Sequence, residues 1–195
     1  RFNDIRRGVP RMSATLLAQR LRKLEQIGVV KRVGSDSAHE YRLTTAGEEL
    51  RPIVMSLGHW GARWIGSRLT PGQLDAGFLM WDIRRFAKLE EFPRDRRIVI
   101  QFRFADARPR EREWWLVVEN GSADLCRDDP GHELTLIVES SVLALTDVWG
   151  GEREPAAVMR SKELRIIGPV QDAKRLWDWL GRSAFAATRA KRCAA

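Results

Sequence analysis

The sequence predicts an α+β protein in two parts: a small helical unit carrying a hairpin, then a larger unit of helices on a mainly antiparallel sheet. Three observations carry this reading. Residues 13–57 run as a capped amphipathic helix, a short basic hairpin with a polar tip, and a second capped helix, the order of a winged helix-turn-helix. Charge is concentrated in the same region: residues 1–70 hold thirteen Lys/Arg against six Asp/Glu, and residues 71–195 hold twenty-one against twenty. Past residue 72 the pattern changes to short alternating strands separated by turn signals. The change falls at Leu69-Thr70-Pro71-Gly72, so the expected domains are 1–71 and 72–188, with a basic tail over 189–195.

The first elements follow from caps and breakers. Phe2-Asn3-Asp4-Ile5-Arg6-Arg7 is helix-like, and Gly8-Val9-Pro10 is a turn signal. Ser13 is a good N-cap for the run Ala14 to Ile27, which Gly28 ends. At about 100° per residue, Leu17, Leu21 and Leu24 fall on one edge of this helix, flanked by Leu16 and Ile27. Thr15, Gln19, Arg22 and Gln26 gather on the opposite edge, with Lys23 beside them. Val29 to Val33 reads as a strand, Gly34 to Ala38 as a polar turn, and His39 to Leu43 as the returning strand. A lone hairpin is marginal and must pack on something, here the helices. Either Thr44 or Thr45 caps the next helix, with Glu48 in capping-box spacing from Thr45.

A polar helical face is by itself a solvated face. Placed after the turn of a helix-turn-helix, it would lie in a major groove, where Gln19 and Arg22 have donors for base edges and Ser13, Thr15 and Lys23 can reach phosphate or bases. Arg6, Arg7 and Arg11 near the turn could hold the backbone, and Arg32, Ser35, Ser37 and His39 of the wing could approach phosphate or a minor groove. His39 otherwise reads as a surface histidine. The chain opens without Met, and a winged helix usually has an earlier helix, so further sequence of this domain is expected upstream.

The second part opens with a helix-like stretch from Gln73 to Phe86. Ile98, Ile100, Phe102 and Phe104 alternate onto one face of a strand, and Trp114 to Val118 forms a more apolar one. Asn120-Gly121 is the strongest hairpin signal in the chain, joining that strand to Ser122 to Arg127. An antiparallel meander continuing into a strand over His132 to Glu139 is expected. Ser141 then caps a helix through Trp149 that Gly150-Gly151 stops, Pro155 begins a short helix, Leu164 to Ile167 is a last strand, and Asp172 to Phe185 a terminal helix. Six tryptophans lie beyond residue 80. Phe102, Phe104, Trp115, Leu136 and Trp149 are candidates either for plain core packing or for the wall of an apolar ligand pocket.

Composition sets bounds. With 44% apolar and 31% charged residues the chain is that of a folded protein. No window approaches the ~20 apolar residues of a membrane span, and no leader pattern appears, so the reading is cytoplasmic with no membrane partner. Cys126 and Cys193 suggest neither a disulfide framework nor a zinc site, and Cys126 reads as buried filler. The only histidines are His39, His59 and His132, none in metal-ligand spacing, and no nucleophile elbow, phosphate loop or dinucleotide fingerprint occurs. The acidic pairs Glu90-Glu91 and Asp128-Asp129 read as solvated loop charge. No enzyme, metal site or cofactor is expected.

The run RFNDIRRGVPRMSATLLAQRLRKLEQIGVVKRV, followed by YRLTTAGEELRPIVMSLGHWG, closely resembles the HxlR-type winged-helix regulators of bacteria and archaea over most of residues 1–64. What the resemblance implies is a homodimer on double-stranded DNA, with Leu50, Ile53, Leu57, Trp60 and Trp64 as the dimer-forming stripe. Contact with the core or the second domain is the alternative for that stripe. Arg11 stands where glycine or alanine is frequent in the family's turn. Some members sense oxidants through a cysteine near the amino terminus, a region that this sequence does not include.

The order of helix, strands, helix, short helix, strand and helix over residues 74–187 resembles the sterol carrier protein family, on the run LTLIVESSVLALTDVWGGEREPAAVMRSKELRIIGPVQDAKRLWDWL. That resemblance rests mostly on hydrophobic pattern and implies a lipid-like ligand. Together these features read as a dimeric DNA-binding transcriptional regulator whose second domain binds an apolar effector. The alternative is a lipid-binding or carrier module whose winged helix serves protein contacts.

Overall fold

The computed structural model describes residues 1–9, 12–35, 38–64 and 74–188, and the chain divides into two units, Arg1–Gly61 and Ala62–Ala195. The boundary expected at 69–72 and the tail over 189–195 lie outside the described residues.

In the first unit, α1 (Phe2–Arg7) leads to α2 (Ala14–Gln26). The Ser13 hydroxyl accepts from the Leu16 N–H at 3.2 Å, and Gly28 ends the helix with φ +77°, a conformation favouring glycine. Leu17 and Leu21 are buried and Leu24 half-buried, whereas the flanking Leu16 and Ile27 are exposed. The hairpin is β1 (Val30–Ser35) against β2 (Ala38–Leu43), in register from Val30↔Leu43 to Ser35↔Ala38.

Thr44 caps α3 (Thr45–Trp64). Its hydroxyl accepts from the Gly47 N–H at 3.2 Å and donates to the Gly28 carbonyl at 2.5 Å. Glu48 does not complete a capping box: its carboxylate takes two bonds from Arg51, at 2.8 and 3.0 Å. That pair holds Glu48 below and Arg51 above their ordinary pKa values.

The second unit is built on a five-stranded sheet in the order β5-β4-β3-β6-β7, formed by Ser122–Cys126, Glu113–Glu119, Ile98–Phe104, Leu136–Ser140 and Leu164–Ile167. Asn120 and Gly121 both take positive φ, +51° and +71°, and close the β4–β5 hairpin as their sequence demands. The meander stops there. Residues 127–135 carry the chain back across the sheet, so β6 pairs parallel to β3 and every other pair is antiparallel. This placement makes β3 central, which its nearly continuous burial reflects.

One sheet face carries Ile100, Phe102, Leu116, Leu136 and Val138 and packs in a single core with the helices α4 (Ala76–Phe86), α5 (Val142–Gly150) and α7 (Val170–Leu180). The short α6 (Pro155–Arg160) precedes β7. Of the boundaries that differ from the sequence pattern, three differ by three residues or more. Asp75, accepting from Phe78 N–H at 2.9 Å, starts α4 three residues late; β6 begins at Leu136, not His132; and Gly181 at φ +71° ends α7 well before Phe185. In each case a cap or a missing ladder partner outranks the apolar periodicity.

Candidate nucleic-acid interface

The helix after the turn divides as its sequence requires. Leu17 and Leu21 anchor α2 inward, and Thr15, Gln19, Arg22, Lys23 and Gln26 are all exposed. Because they recur at helical spacing, these polar side chains form one surface about a third of the circumference wide. Gln19 supplies an amide that can donate and accept together, and Arg22 a planar fork, the groups that match purine edges in a major groove. Ser13 sits at the start of this surface, but its hydroxyl is already engaged as the helix cap.

The wing is tied to this helix. Arg32 on β1 donates to the Glu25 carboxylate of α2 at 2.9 Å, so part of its charge is answered internally and its guanidinium is held in position. On β2, Arg42 meets Glu40 at 3.4 Å, and His39 and Tyr41 make an edge-to-face ring pair at 5.3 Å. Arg11, Ser37 and the side chain of Ser35 lie outside the described residues.

The apolar stripe of α3 faces solvent. Leu50 and Trp60 are exposed, and Ile53, Leu57 and Trp64 are 64%, 66% and 67% exposed. Val54, which the sequence reading missed, belongs to the same surface at 63%. Its spacing from Leu50 and Leu57, four and three residues, was signal enough to find it.

Four of the five residues considered for an apolar pocket come together. Phe102, Phe104, Leu136 and Trp149 share the sealed core between sheet and helices. Trp115 does not join them: it pairs with Gln101, so it projects from the opposite sheet face, where it is also buried. Trp149 donates its indole N–H to Asp82 on α4 at 2.9 Å. Burial pushes the Asp82 carboxyl up, against the Trp149 hydrogen bond and the Arg85 charge, which pull it down. Among the described residues no group of His, Cys, Asp or Glu could hold a metal ion, and no helix is long and apolar enough to cross a membrane.

Comparison with known families agrees with the polar-faced helix and its wing. Residues 1–68 match the HxlR-like helix-turn-helix family. The HxlR-like segment is 38% identical over 68 residues to the uncharacterized HTH-type transcriptional regulator YvaP of Bacillus subtilis (strain 168), a match covering 33% of this chain and 63% of that protein. It is 31% identical over 78 residues to YkvN of the same organism, covering 38% and 66%, and 39% identical over 70 residues to Rv3095 of Mycobacterium tuberculosis (strain ATCC 25618 / H37Rv), covering 33% and 42%. The chain thus spans less than two thirds of the length of these relatives, each bearing the name of a transcriptional regulator.

Among solved structures, the chain is similar to sterol carrier protein 2 of Yarrowia lipolytica at 12% identity and TM-score 0.39, over 55% of this chain and 90% of that one. It is also similar to the ubiquinone synthesis protein UbiJ-SCP2, at 15% identity and TM-score 0.33, over 73% and 98%. A sec-alkylsulfatase from a Pseudomonas species aligns at 14% identity and TM-score 0.43, over 60% of this chain and 17% of its own. Likenesses this distant say nothing of ligand or reaction.

Proposed function

We propose that this protein is a DNA-binding transcriptional regulator that acts as a homodimer. The observation that carries the reading is the exposed polar face of α2, opposite buried Leu17 and Leu21, within a segment that matches the HxlR-like family. In this reading α2 enters the major groove through Gln19 and Arg22, Thr15 and Lys23 meet phosphate or flanking bases, and Arg32 brings the wing to the backbone.

Dimerisation rests on the stripe of Leu50, Ile53, Leu57, Trp60 and Trp64, joined by Val54. Large apolar side chains spaced along one helix and left in water favour association, since burial is worth roughly 25 cal/mol per Å2. A second copy of α3 would cover the stripe and pair two recognition helices for an operator with approximate two-fold symmetry. The second unit then serves as effector receptor, an apolar molecule entering between sheet and helices against Phe102, Phe104, Leu136 and Trp149. These side chains already fill the space, so that ligand must part the helix layer, and binding would change the unit's shape.

The test is binding of the full chain to duplex DNA flanking its own gene, by footprinting and by fluorescence anisotropy across a salt series. A protected site with approximate dyad symmetry and a steep loss of affinity with salt are expected. Binding that shows no site preference on any fragment would overturn the proposal.

A further inference from the structure

A cleft of about 460 Å3 opens in the second unit at the end of the sheet where β3 and β6 finish and β4 and β7 begin. Its wall is charged. Glu113, Arg103, Glu139 and Arg165 stand side by side on β4, β3, β6 and β7, each in register with the next, and form an alternating row. Arg103 lies 4.0 Å from Glu113 and 3.5 Å from Glu139, and Arg165 lies 3.3 Å from Glu139. A further charge at the cleft, Glu163, is claimed from outside it: Arg153 grips it at 2.6 and 2.9 Å, and Ser161 donates to it at 2.6 Å. These partners hold its carboxyl at about 2.

With the carboxylates answered, two cations are left over. Arg112 commits its Nε to the Ala107 carbonyl at 3.2 Å, and its terminal nitrogens make no ion pair among the described residues. Lys162 makes neither side-chain hydrogen bond nor ion pair among them. Lys162 also sits at φ +62°, in the left-handed region that glycine or asparagine occupies with less strain. Its segment is pinned there, because the buried Ser140 hydroxyl donates to the Glu163 carbonyl at 3.2 Å. The surplus charge does not come from a bare helix end: Asp106 and Ser141 already accept the Val142 and Ala144 N–H groups of α5.

We propose that this cleft binds a small organic anion bearing a phosphate or carboxylate group, held by Arg112 and Lys162. The volume falls in the range of small-molecule sites, roughly 300 to 1,000 Å3, and exceeds what a bare phosphate needs. With only two unanswered cations, Arg112 and Lys162, in a cleft of this size, the site matches a compact anion and not the extended phosphate backbone of nucleic acid. The proposal is independent of the DNA-binding reading and concerns a surface distinct from the sealed apolar core.

The experiment is calorimetric titration of the full chain with inorganic phosphate, glycerol 3-phosphate and succinate, each against sodium chloride at matched ionic strength, repeated on Arg112→Gln and Lys162→Asn. Saturable binding by at least one probe is expected, weakened about tenfold or more in each variant, as loss of a charge-assisted contact implies. Preference for glycerol 3-phosphate over succinate identifies a phosphate ligand, and the reverse a carboxylate. Amide chemical shifts of the wild-type chain, with phosphate added, provide a readout independent of how the variants fold: shifts centred on residues 103–113 and 139–165 are expected. No saturable binding beyond chloride, wild-type affinity retained in both variants, or shifts centred elsewhere would each overturn the proposal.

Discussion

Gly47 in the first turn of α3 lies so close to the Val29 carbonyl oxygen that a Cβ would overlap it. The same oxygen and its neighbour at Gly28 receive the Thr44 hydroxyl, so the start of α3 is locked onto the chain leaving α2. This contact sets how the helix carrying the apolar stripe leaves the winged-helix unit.

Gly47→Ala is therefore expected to destabilise the first unit. Alanine favours a helix interior by about 1 kcal/mol over glycine, but overlap with a backbone oxygen cannot be relieved by a rotamer change and costs about 1 to 3 kcal/mol. Overlap should win, lowering the urea midpoint of the full chain. An unchanged or higher midpoint would show that the α3 start shifts freely.

Gln19→Ala with Arg22→Ala should remove site preference while sparing the fold, because both side chains are exposed. Each lost base contact is worth about 1 to 3 kcal/mol. Anisotropy on specific and scrambled duplexes at fixed salt reads the difference, and equal affinity of variant and wild type for the specific duplex would exclude both residues from readout.

Leu57→Glu, at the centre of the α3 stripe, should shift the protein from dimer to monomer in sedimentation velocity. A charge buried without a partner costs several kcal/mol in an interface, yet almost nothing on a face that stays in water. An unaltered sedimentation profile would place the dimer contact elsewhere.

Asp82→Asn gives a pH-dependent outcome. The Asp82 carboxyl has its pKa raised chiefly by burial, so its contribution favours the folded state below its unfolded pKa and is lost as pH rises through the folded one. Asparagine can still accept the Trp149 indole N–H without carrying the charge. The variant's melting temperature relative to wild type should thus be higher at about pH 7 than at about pH 3. A difference that is flat with pH would mean that solvent reaches the carboxylate freely.

The local pattern was legible wherever one residue fixes the backbone. Ser13 and Gly28 bracketed α2, Asn120-Gly121 placed a hairpin, Ser141 opened α5, and the leucine spacing of α2 separated buried from polar edge without any long-range information. Exposure of the α3 stripe, the choice of Thr44 over Thr45, and the parallel pairing of β6 with β3 were not legible. Each depends on what packs alongside, and an apolar residue reads the same in sequence whether a helix covers it or water does.

The charged cleft shows the limit most plainly. Glu113, Arg103, Glu139 and Arg165 are scattered over residues 103–165 among ordinary surface charge, and only strand order and register set them in one row beside Lys162 and Arg112. Sequence determined the elements and the sidedness of α2, since caps and helical periodicity act over a few residues. Tertiary structure decided which charges are answered and which are left over, because Coulomb interactions depend on distances through space that chain order does not encode.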